Sequence, residues 1–159
     1  MDRLIALLKE NARVSLEDAA LQLDLTPEVV AAEIEALEAQ GVIRAYQAIV
    51  NEDKLDADLV TAVIEVSVTP EREGGFDHIA NRISRYPEVT SMYLMSGQYD
   101  LMLFVEGPSL RTIAGFVSAR LSSIPGVTGT ATHFRLKTYK HHGVLMEVEH
   151  EDERLQVSP

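Results

Sequence analysis

Hydrophobic residues recur at helical spacing through the first third of the chain. They predict a first helix near the N-terminus and a second helix after Ser15, whose hydroxyl is suited to cap it. Asp18, three residues further on, gives this start the form of a capping box. The apolar positions of the two helices are Leu4, Ile5, Leu7 and Leu8, then Ala19, Ala20 and Leu23.

A third helix is predicted between Thr26, as its N-cap, and Gly41, just beyond its end. Pro27 at the first helical position fits this start. The stretch that follows, "VIRAYQAIV", is rich in β-branched and aromatic residues and predicts a strand or a two-strand wing. The apolar stripe of the third helix is Val30, Ile34 and Leu37.

A polar stretch at 51–58 predicts a linker, and the hydrophobic pattern then changes to a period of two. Strands and two short amphipathic helices follow in the order β-α-β-β-α-β, which is the ferredoxin-like arrangement. The last strand is expected to be long, "TGTATHFRLKTYK". We therefore predict an α+β fold with a winged helix-turn-helix at 1–50 and a ferredoxin-like domain at 59–140. The first strand buries Val60, Ala62, Ile64, Val66 and Val68 on one face.

Composition narrows the class of protein. The chain has 159 residues, 46% of them hydrophobic, and no apolar run long enough to span a membrane. It contains no Cys, which removes disulfides and thiolate chemistry and fits a reducing cytoplasm. We therefore expect a cytoplasmic protein without a membrane partner.

The charge is acidic and uneven. The net charge is −11, and residues 1–60 hold 5 Lys and Arg against 13 Asp and Glu. No Lys or Arg occurs from Val14 to Ile43, and the third helix carries four glutamates, Glu28, Glu33, Glu35 and Glu38. Because affinity for nucleic acid comes largely from Lys and Arg, this pattern argues against a strong DNA-binding surface.

The order of elements and three short motifs resemble the Lrp/AsnC family, the leucine-responsive and feast/famine regulators. The family's third helix has the pattern V-x-x-R-I-x-x-L-E-x-x-G-V-I, and this chain departs from it only at Glu33. The turn "SGQYDLML" is similar to the family's T-G-x-x-D, with Ser96 in place of Thr. "IPGVTGTATHFRLKTYK" resembles its final strand. The matching positions are Val30, Ile34, Leu37, Glu38, Gly41, Val42, Ile43, Gly97, Asp100, Gly126, Val127 and Lys140.

The resemblance implies a homodimer formed through the second domains, which can assemble further into rings. It implies a small effector, often an amino acid, at the turn between subunits, and a winged helix-turn-helix that touches DNA. No cofactor is implied. The effector candidates are Ser96, Gly97, Gln98, Tyr99 and Asp100.

Direct DNA contact has to be weighed against the acidic third helix. A helix-turn-helix contacts bases with the first turns of this helix. Alanines there can touch a thymine methyl, and Glu can accept from cytosine, but neither neutralises a phosphate. Phosphate donors remain only at the edges. The DNA-binding candidates are Lys9, Arg13, Thr26, Glu28, Ala31, Ala32 and Arg44.

Two alternatives to a DNA-binding regulator stay open. One is a regulator that acts through a protein partner, or through a heteromer whose other subunit supplies a basic helix. The other is an enzyme like the siroheme decarboxylases, which resemble this family. Those enzymes carry a His where this chain has Ser91, and no paired carboxylates or nucleophile–base pair is evident, so no catalytic residue is assigned.

The C-terminal segment 141–159 is expected to be a solvated acidic arm because charge runs such as "EHEDER" are usually solvated. Val144 to Val148 is open to a further strand, formed with a partner subunit. The sequence "KHHG" beside "EVEHEDE" raises the alternative of a metal site. The histidines lack helical i, i+4 spacing, so exposed side chains are the expectation and no metal ligand is assigned.

Overall fold

A computed structural model describes residues 2–55, 59–70 and 75–147. The chain divides between Val50 and Asn51 into two compact units. Within the described ranges, none of the helices has both the length and the apolar character needed to cross a membrane.

The first unit consists of the three predicted helices packed on a small core. Leu4 from the first helix, Ala19 and Ala20 from the second, and Val30 and Leu37 from the third are all at most 3% exposed. These residues are the apolar positions that the helical periodicity singled out, so the predicted packing face of each helix is confirmed. The helices are α1 (Asp2–Glu10), α2 (Leu16–Leu23) and α3 (Pro27–Ala39).

The predicted starts and stops of these helices are made by hydrogen bonds. Ser15 Oγ accepts from the Asp18 amide at 3.0 Å and donates to its carboxylate at 2.7 Å, so the pair closes the first turn of α2. At the end of α3, Gly41 has a φ of +71° and its amide donates to Glu38 O at 2.9 Å. Val42 N donates to Leu37 O at 2.9 Å, which completes a Schellman reversal of the chain.

The predicted strand or wing after α3 does not form in this chain. Residues 43–50 contain no strand, although their β-branched and aromatic composition predicted one. A β-strand needs a neighbouring strand for its backbone hydrogen bonds. No described segment pairs with residues 43–50, and all but Ile43 are exposed.

The second unit is an antiparallel sheet with the strand order β2-β3-β1-β4, covered on one face by two helices. This is the predicted ferredoxin-like arrangement. Alternate residues of the two central strands are buried beneath the helices, where they pack with Ile79, Ile83, Ile113 and Phe116. The elements are β1 (Val60–Val68), α4 (Asp77–Ile83), β2 (Val89–Leu94), β3 (Leu101–Gly107), α5 (Leu110–Phe116) and β4 (Val127–Phe134).

The helical segment that begins with α5 changes character at its end. The regular helix ends at Phe116, and one π-helical turn, Val117–Leu121, continues it. Leu121 remains fully buried, so the wider turn still delivers its apolar side chain to the core. The predicted second helix is therefore present, with a local insertion that its periodicity did not indicate.

The last strand is shorter than predicted. It ends at Phe134, and only the Arg135 amide continues the ladder, donating to Thr61 O at 2.9 Å. Beyond the last pair, Ala62 with Phe134, only Val60 and Thr61 of β1 remain, which is too little backbone to pair a strand that reaches Lys140. A two-stranded hairpin follows instead, formed by β5 (Lys140–His141) and β6 (Val144–Leu145).

The hairpin contains the further strand that the sequence left open from Val144, and it pairs this strand within the chain, where a partner subunit had been an alternative. Val144 and Leu145 pair with His141 and Lys140 of the same chain. The turn residues, His142 and Gly143, both have positive φ, as a two-residue hairpin turn requires. Val148 and the rest of the predicted arm lie outside the described residues.

Candidate nucleic-acid interface and effector site

The outward side of α3 carries acidic side chains and small ones. Glu28, Ala32, Glu35 and Glu38 are exposed. Ala31 is half-buried, and so is Glu33, where the family pattern has Arg. The side of the helix opposite its core stripe therefore presents carboxylates and methyl groups, and no cation.

The start of α3 binds a carboxylate. Thr26 occupies the N-cap position, but its side chain makes no capping hydrogen bond to the helix backbone. A backbone hydrogen bond at the helix start, with help from the Thr26 hydroxyl, lowers the pKa of Glu28 below its ordinary value. One backbone amide at this end of the helix thus already has the chain's own carboxylate as its partner.

The predicted phosphate donors lie at the edges of the first unit. Lys9 is exposed in the last turn of α1, and Arg13 is exposed in the loop after it. Arg44 is exposed too, and its side chain folds back over Gly41, with Nη1 3.4 Å from where a β-carbon on that glycine would lie. A further cation, Arg3, donates to Gln22 O at 3.1 Å. Arg3 was not among the candidates, and its bond to a carbonyl in the last turn of α2 gives it a structural role.

A contact that the sequence did not indicate joins the segment after α3 to the helix itself. The Tyr46 hydroxyl donates to Glu38 Oε1 at 2.8 Å. This hydrogen bond raises the pKa of Tyr46 above its ordinary value, because ionisation would break the bond and place two anions together. The reversal at Gly41 brings the two side chains near each other, and only that geometry could have revealed the pair.

The predicted effector turn connects β2 to β3. Ser96, Gly97 and Gln98 are exposed, and Gly97 has a φ of +142°, a conformation that favours glycine. Tyr99 is half-buried, and its hydroxyl donates to Met102 Sδ at 3.8 Å. The five candidate residues are contiguous, and they form a turn whose tip faces solvent.

Asp100 anchors this turn to β1. Its amide donates to Val66 O at 3.1 Å, and its carboxylate accepts from the Val68 amide at 2.8 Å. The register between β1 and β4 shifts between Ser67 and Val68, so the carboxylate satisfies an amide at an irregular point of the sheet. One oxygen of Asp100 thus has a structural role, and Oδ1 remains as a polar atom beside the exposed turn.

The other chemical candidates are dispersed. Ser91, at the position of the decarboxylase His, is half-buried in β2 opposite Phe104. His133 lies 3.4 Å from Glu65, whereas the rings of His141 and His142 pack edge to face in the hairpin. Among the described residues no group of three or more His, Asp or Glu is arranged to hold a metal ion. His150 lies outside the described residues.

Comparison with known proteins gives consistent matches along the chain. Residues 61–145 match the model of the Lrp/AsnC ligand-binding domain. The chain is 44% identical over 157 residues to the uncharacterised HTH-type transcriptional regulator YugG of Bacillus subtilis, covering 98% of this chain and 95% of that protein. It is 26% identical to the leucine-responsive regulatory protein of Haemophilus influenzae, over 87% of this chain and 83% of that one.

A solved structure agrees with the fold described here. The transcriptional regulator NMB0573 of Neisseria meningitidis, crystallised as a complex with L-Met, superposes with a TM-score of 0.69 at 25% identity. The match covers 87% of this chain and 88% of that one. The similarity therefore extends over both units of the chain.

Proposed function

Because the chain belongs to the Lrp/AsnC family, we propose that it is a transcription regulator that binds DNA and responds to a small, amino-acid-like effector. The observation that carries this proposal is the match to a named HTH-type regulator at 44% identity over nearly the whole chain. The first unit has the three-helix packing of a helix-turn-helix, and the second has the family's ligand-binding sheet. The two activities are therefore assigned to separate units.

In the first unit, the start of α3 is the segment that enters the major groove. Ala31 and Ala32 are small enough to let the helix approach base edges and to contact thymine methyl groups. Lys9, Arg13 and Arg44 supply the phosphate contacts, and a dimer doubles their number. The structure supports this assignment because these three cations are exposed.

The acidic helix sets an upper limit on affinity. At about 7 Å in water, each Glu–phosphate pair repels by roughly 0.6 kcal/mol before salt screening. Three or four such pairs cost about 2 kcal/mol in total. Binding is therefore expected to be weak and to depend on assembly or on the effector, with little nonspecific affinity.

In the second unit, the turn at 96–100 is the proposed effector site. Its exposed glycine allows a ligand to approach the backbone, and Asp100 Oδ1 is suited to an α-ammonium group. The structural relative crystallised with L-Met makes an amino acid the natural ligand class. The effector acts by favouring one arrangement of subunits, and its effect is limited to the difference in its affinity for the two arrangements.

We assign the uncovered face of the sheet to contact with a second copy of the chain. The helices cover only one face, and the other presents Tyr93, packed edge-on against Phe104 with centroids 6.2 Å apart. Tyr93 is 51% exposed, and Val63 and Met102 beside it are half-buried. This apolar patch, which lies beside the Glu65–His133 pair, is suited to a homodimer interface with an apolar centre and a polar rim.

A heteromer is the second candidate function, favoured by Glu33 at the position where the family has Arg. In that case a partner subunit supplies the basic helix, and purified protein alone would not retain DNA. A cytoplasmic location fits either form of regulator. Catalysis is disfavoured because the relatives are named as regulators and because Ser91 replaces the decarboxylase His.

One set of binding assays separates these candidates. Purified protein should retain DNA from upstream of its own gene at low salt, and the retention should change when amino acids are added. If no retention occurs but a pull-down recovers a second regulator with a basic helix, the heteromer is correct. Bound haem or turnover of a tetrapyrrole would instead indicate an enzyme.

A further inference from the structure

The first residues of the second unit are bonded to its C-terminal end. The Asn51 side chain donates to Met146 O at 2.7 Å, and the Met146 amide donates to Tyr139 O at 3.0 Å. Met146 is only 8% exposed, although the hairpin residues before it are exposed. Asn51 is thus held by a buried point of the chain, 95 residues away in sequence.

A second and stronger contact lies beside the first. Arg135 donates from Nη2 to the Glu52 carboxylate and, at 2.8 Å, to the hydroxyl of Thr61. Thr61 is only 4% exposed, so the arginine satisfies a buried hydroxyl as well as a carboxylate. The Arg135 amide also donates to Thr61 O, which fixes the base of the side chain. Charge-assisted bonds of this kind are stronger than neutral ones.

The residues between these contacts fold on themselves. Glu52–Lys54 form one 3-10 turn, in which Lys54 N donates to Asn51 O at 3.2 Å and Leu55 N donates to Glu52 O at 2.9 Å. Asn51 and Glu52, which bond to the C-terminal end, are also the acceptors of this turn. Residues 51–55 therefore behave as an ordered part of the second unit, despite the polar composition that predicted a linker.

The residues just before Asn51 are of two kinds: Tyr46 is hydrogen-bonded to the first unit, and residues 47–50 are hydrogen-bonded to no described residue. Tyr46 is bonded to Glu38, within the first unit. Residues 47–50 take part in no hydrogen bond with any described residue, and they are exposed. They are the segment that can change its backbone angles without breaking one of these contacts.

We propose that Arg135 and Asn51 are positioning residues, which fix residues 51–55, here called the connector, on the second unit. Only residues 47–50 are then left free to change their backbone angles between the last bonded residue of the first unit and the connector. The consequence for DNA rests on the proposed function. A connection with only four such residues limits the freedom of the recognition helices, so a dimer would bind two half-sites best at one separation.

Amide hydrogen exchange on the full-length protein tests the contact itself. In Arg135→Gln, the amides of Lys54 and Leu55 should exchange about tenfold faster, because the turn loses its anchor, while those of β1 and β3 stay protected. Arg82→Gln is the matched control. It removes an exposed cation from the last turn of α4 in the same unit and should leave the turn unchanged. Asn51→Ala should accelerate the same two amides.

A charge swap separates the specific pair from a general loss of structure. The variant carrying both Glu52→Arg and Arg135→Glu should recover most of the protection that either single change removes. Unchanged exchange of Lys54 and Leu55 in Arg135→Gln would overturn the proposal. Failure of the swap to recover protection, with the sheet intact, would overturn it as well.

DNA binding tests the positioning role. The probe is DNA from upstream of the chain's own gene. A second probe carries five base pairs inserted at the centre of the DNA segment that the bound protein covers. The insertion should weaken binding of the wild type about tenfold but that of Arg135→Gln less than threefold, with half-site affinity unchanged. Equal sensitivity to the insertion would contradict a positioning role. If the wild type binds no DNA, the proposed function fails, and the exchange data still decide whether the connector is held on the second unit.

Discussion

The two units differ in how closely their exposed residues match the family pattern that their buried residues follow. In the second unit, the buried face of the sheet and the anchored turn at Asp100 both follow the family pattern. In the first unit, α3 follows it at its buried positions but departs from it at Glu33. Val30 and Leu37 are fully buried, whereas the exposed half carries glutamates.

This difference shows that the residues of one helix that determine its packing are separate from those that determine what it contacts. The apolar stripe and the Gly41 reversal are required for the three helices to pack, whatever the helix contacts. The outward residues carry no packing role and are free to change with the partner. Fold and family can therefore be secure while DNA affinity remains the quantity to measure.

The largest expected effect comes from breaking the core of the first unit. Leu37→Ala should lower the free energy of unfolding of that unit by about 2–5 kcal/mol, because it deletes a fully buried side chain. Val29→Ala on the same helix is the control, since Val29 is 43% exposed and its loss should cost less than about 0.5 kcal/mol. Denaturant unfolding followed by exchange of the α3 amides measures both. Equal effects would mean that the buried stripe does not hold this unit together.

The second unit offers a comparison between two glycines with positive φ. A β-carbon at Gly126 would lie 2.7 Å from the Ile79 side chain, which is 1% exposed, whereas one at Gly97 would meet nothing within 4 Å. Gly126→Ala should therefore cost about 2–3 kcal/mol and Gly97→Ala about 1 kcal/mol, from backbone strain alone. Chemical denaturation compares the two variants. A larger loss for Gly97→Ala would show that the effector turn is packed more tightly than its exposure indicates.

Charge reversal on the outward side of α3 tests whether that side meets DNA. The double change Glu33→Lys with Glu35→Lys should raise nonspecific DNA affinity about tenfold or more at low salt. Both positions leave the Glu38–Tyr46 hydrogen bond intact. Asp53→Lys with Asp77→Lys makes the same change in net charge on exposed residues of the second unit and is the control. An equal rise in both pairs would indicate a long-range charge effect and no contact by α3.

The smallest effect concerns the Tyr46 hydroxyl. Because Glu38 raises its pKa above 10.0, the contact stabilises the fold below the unfolded pKa and is lost as the pH rises through the folded one. Glu38→Gln should lower the Tyr46 pKa towards 10.0, as followed by the ring resonances in an NMR titration. Glu35→Gln on the same helix should leave it where it is. If Glu38→Gln left the Tyr46 pKa unchanged, the hydrogen bond between α3 and the segment after it would be contradicted.

Local patterns were sufficient to predict much of this structure. The Ser15 and Gly41 boundaries depend on residues within a few positions, and the alternation in β1 states directly which face is buried. The β-α-β-β-α-β order follows from those elements in sequence. The contiguous turn at 96–100 could be singled out for the same reason, since all its residues are neighbours in the chain.

The features that were missed depend on distant contacts. The strand predicted after α3 has suitable residues but no described partner. The last strand is short because only Val60 and Thr61 of β1 remain beyond its final pair, Ala62 with Phe134. The pairs Arg135–Glu52 and Tyr46–Glu38 join residues whose proximity follows only from the fold. Composition predicted a linker at 51–58, and its first residues, 51–55, form a hydrogen-bonded turn because polar residues suit both, whereas 56–58 lie outside the described residues.

A DNA titration across salt concentration tests the central claim most directly. With Lys9, Arg13 and Arg44 as the phosphate contacts, a dimer neutralises at most about six phosphates. The logarithm of the binding constant should then fall with the logarithm of salt concentration at a slope no steeper than about −5. A clear negative slope within that limit, for DNA upstream of the chain's own gene, is the predicted result. No retention at low salt, with or without amino acids, would contradict the account.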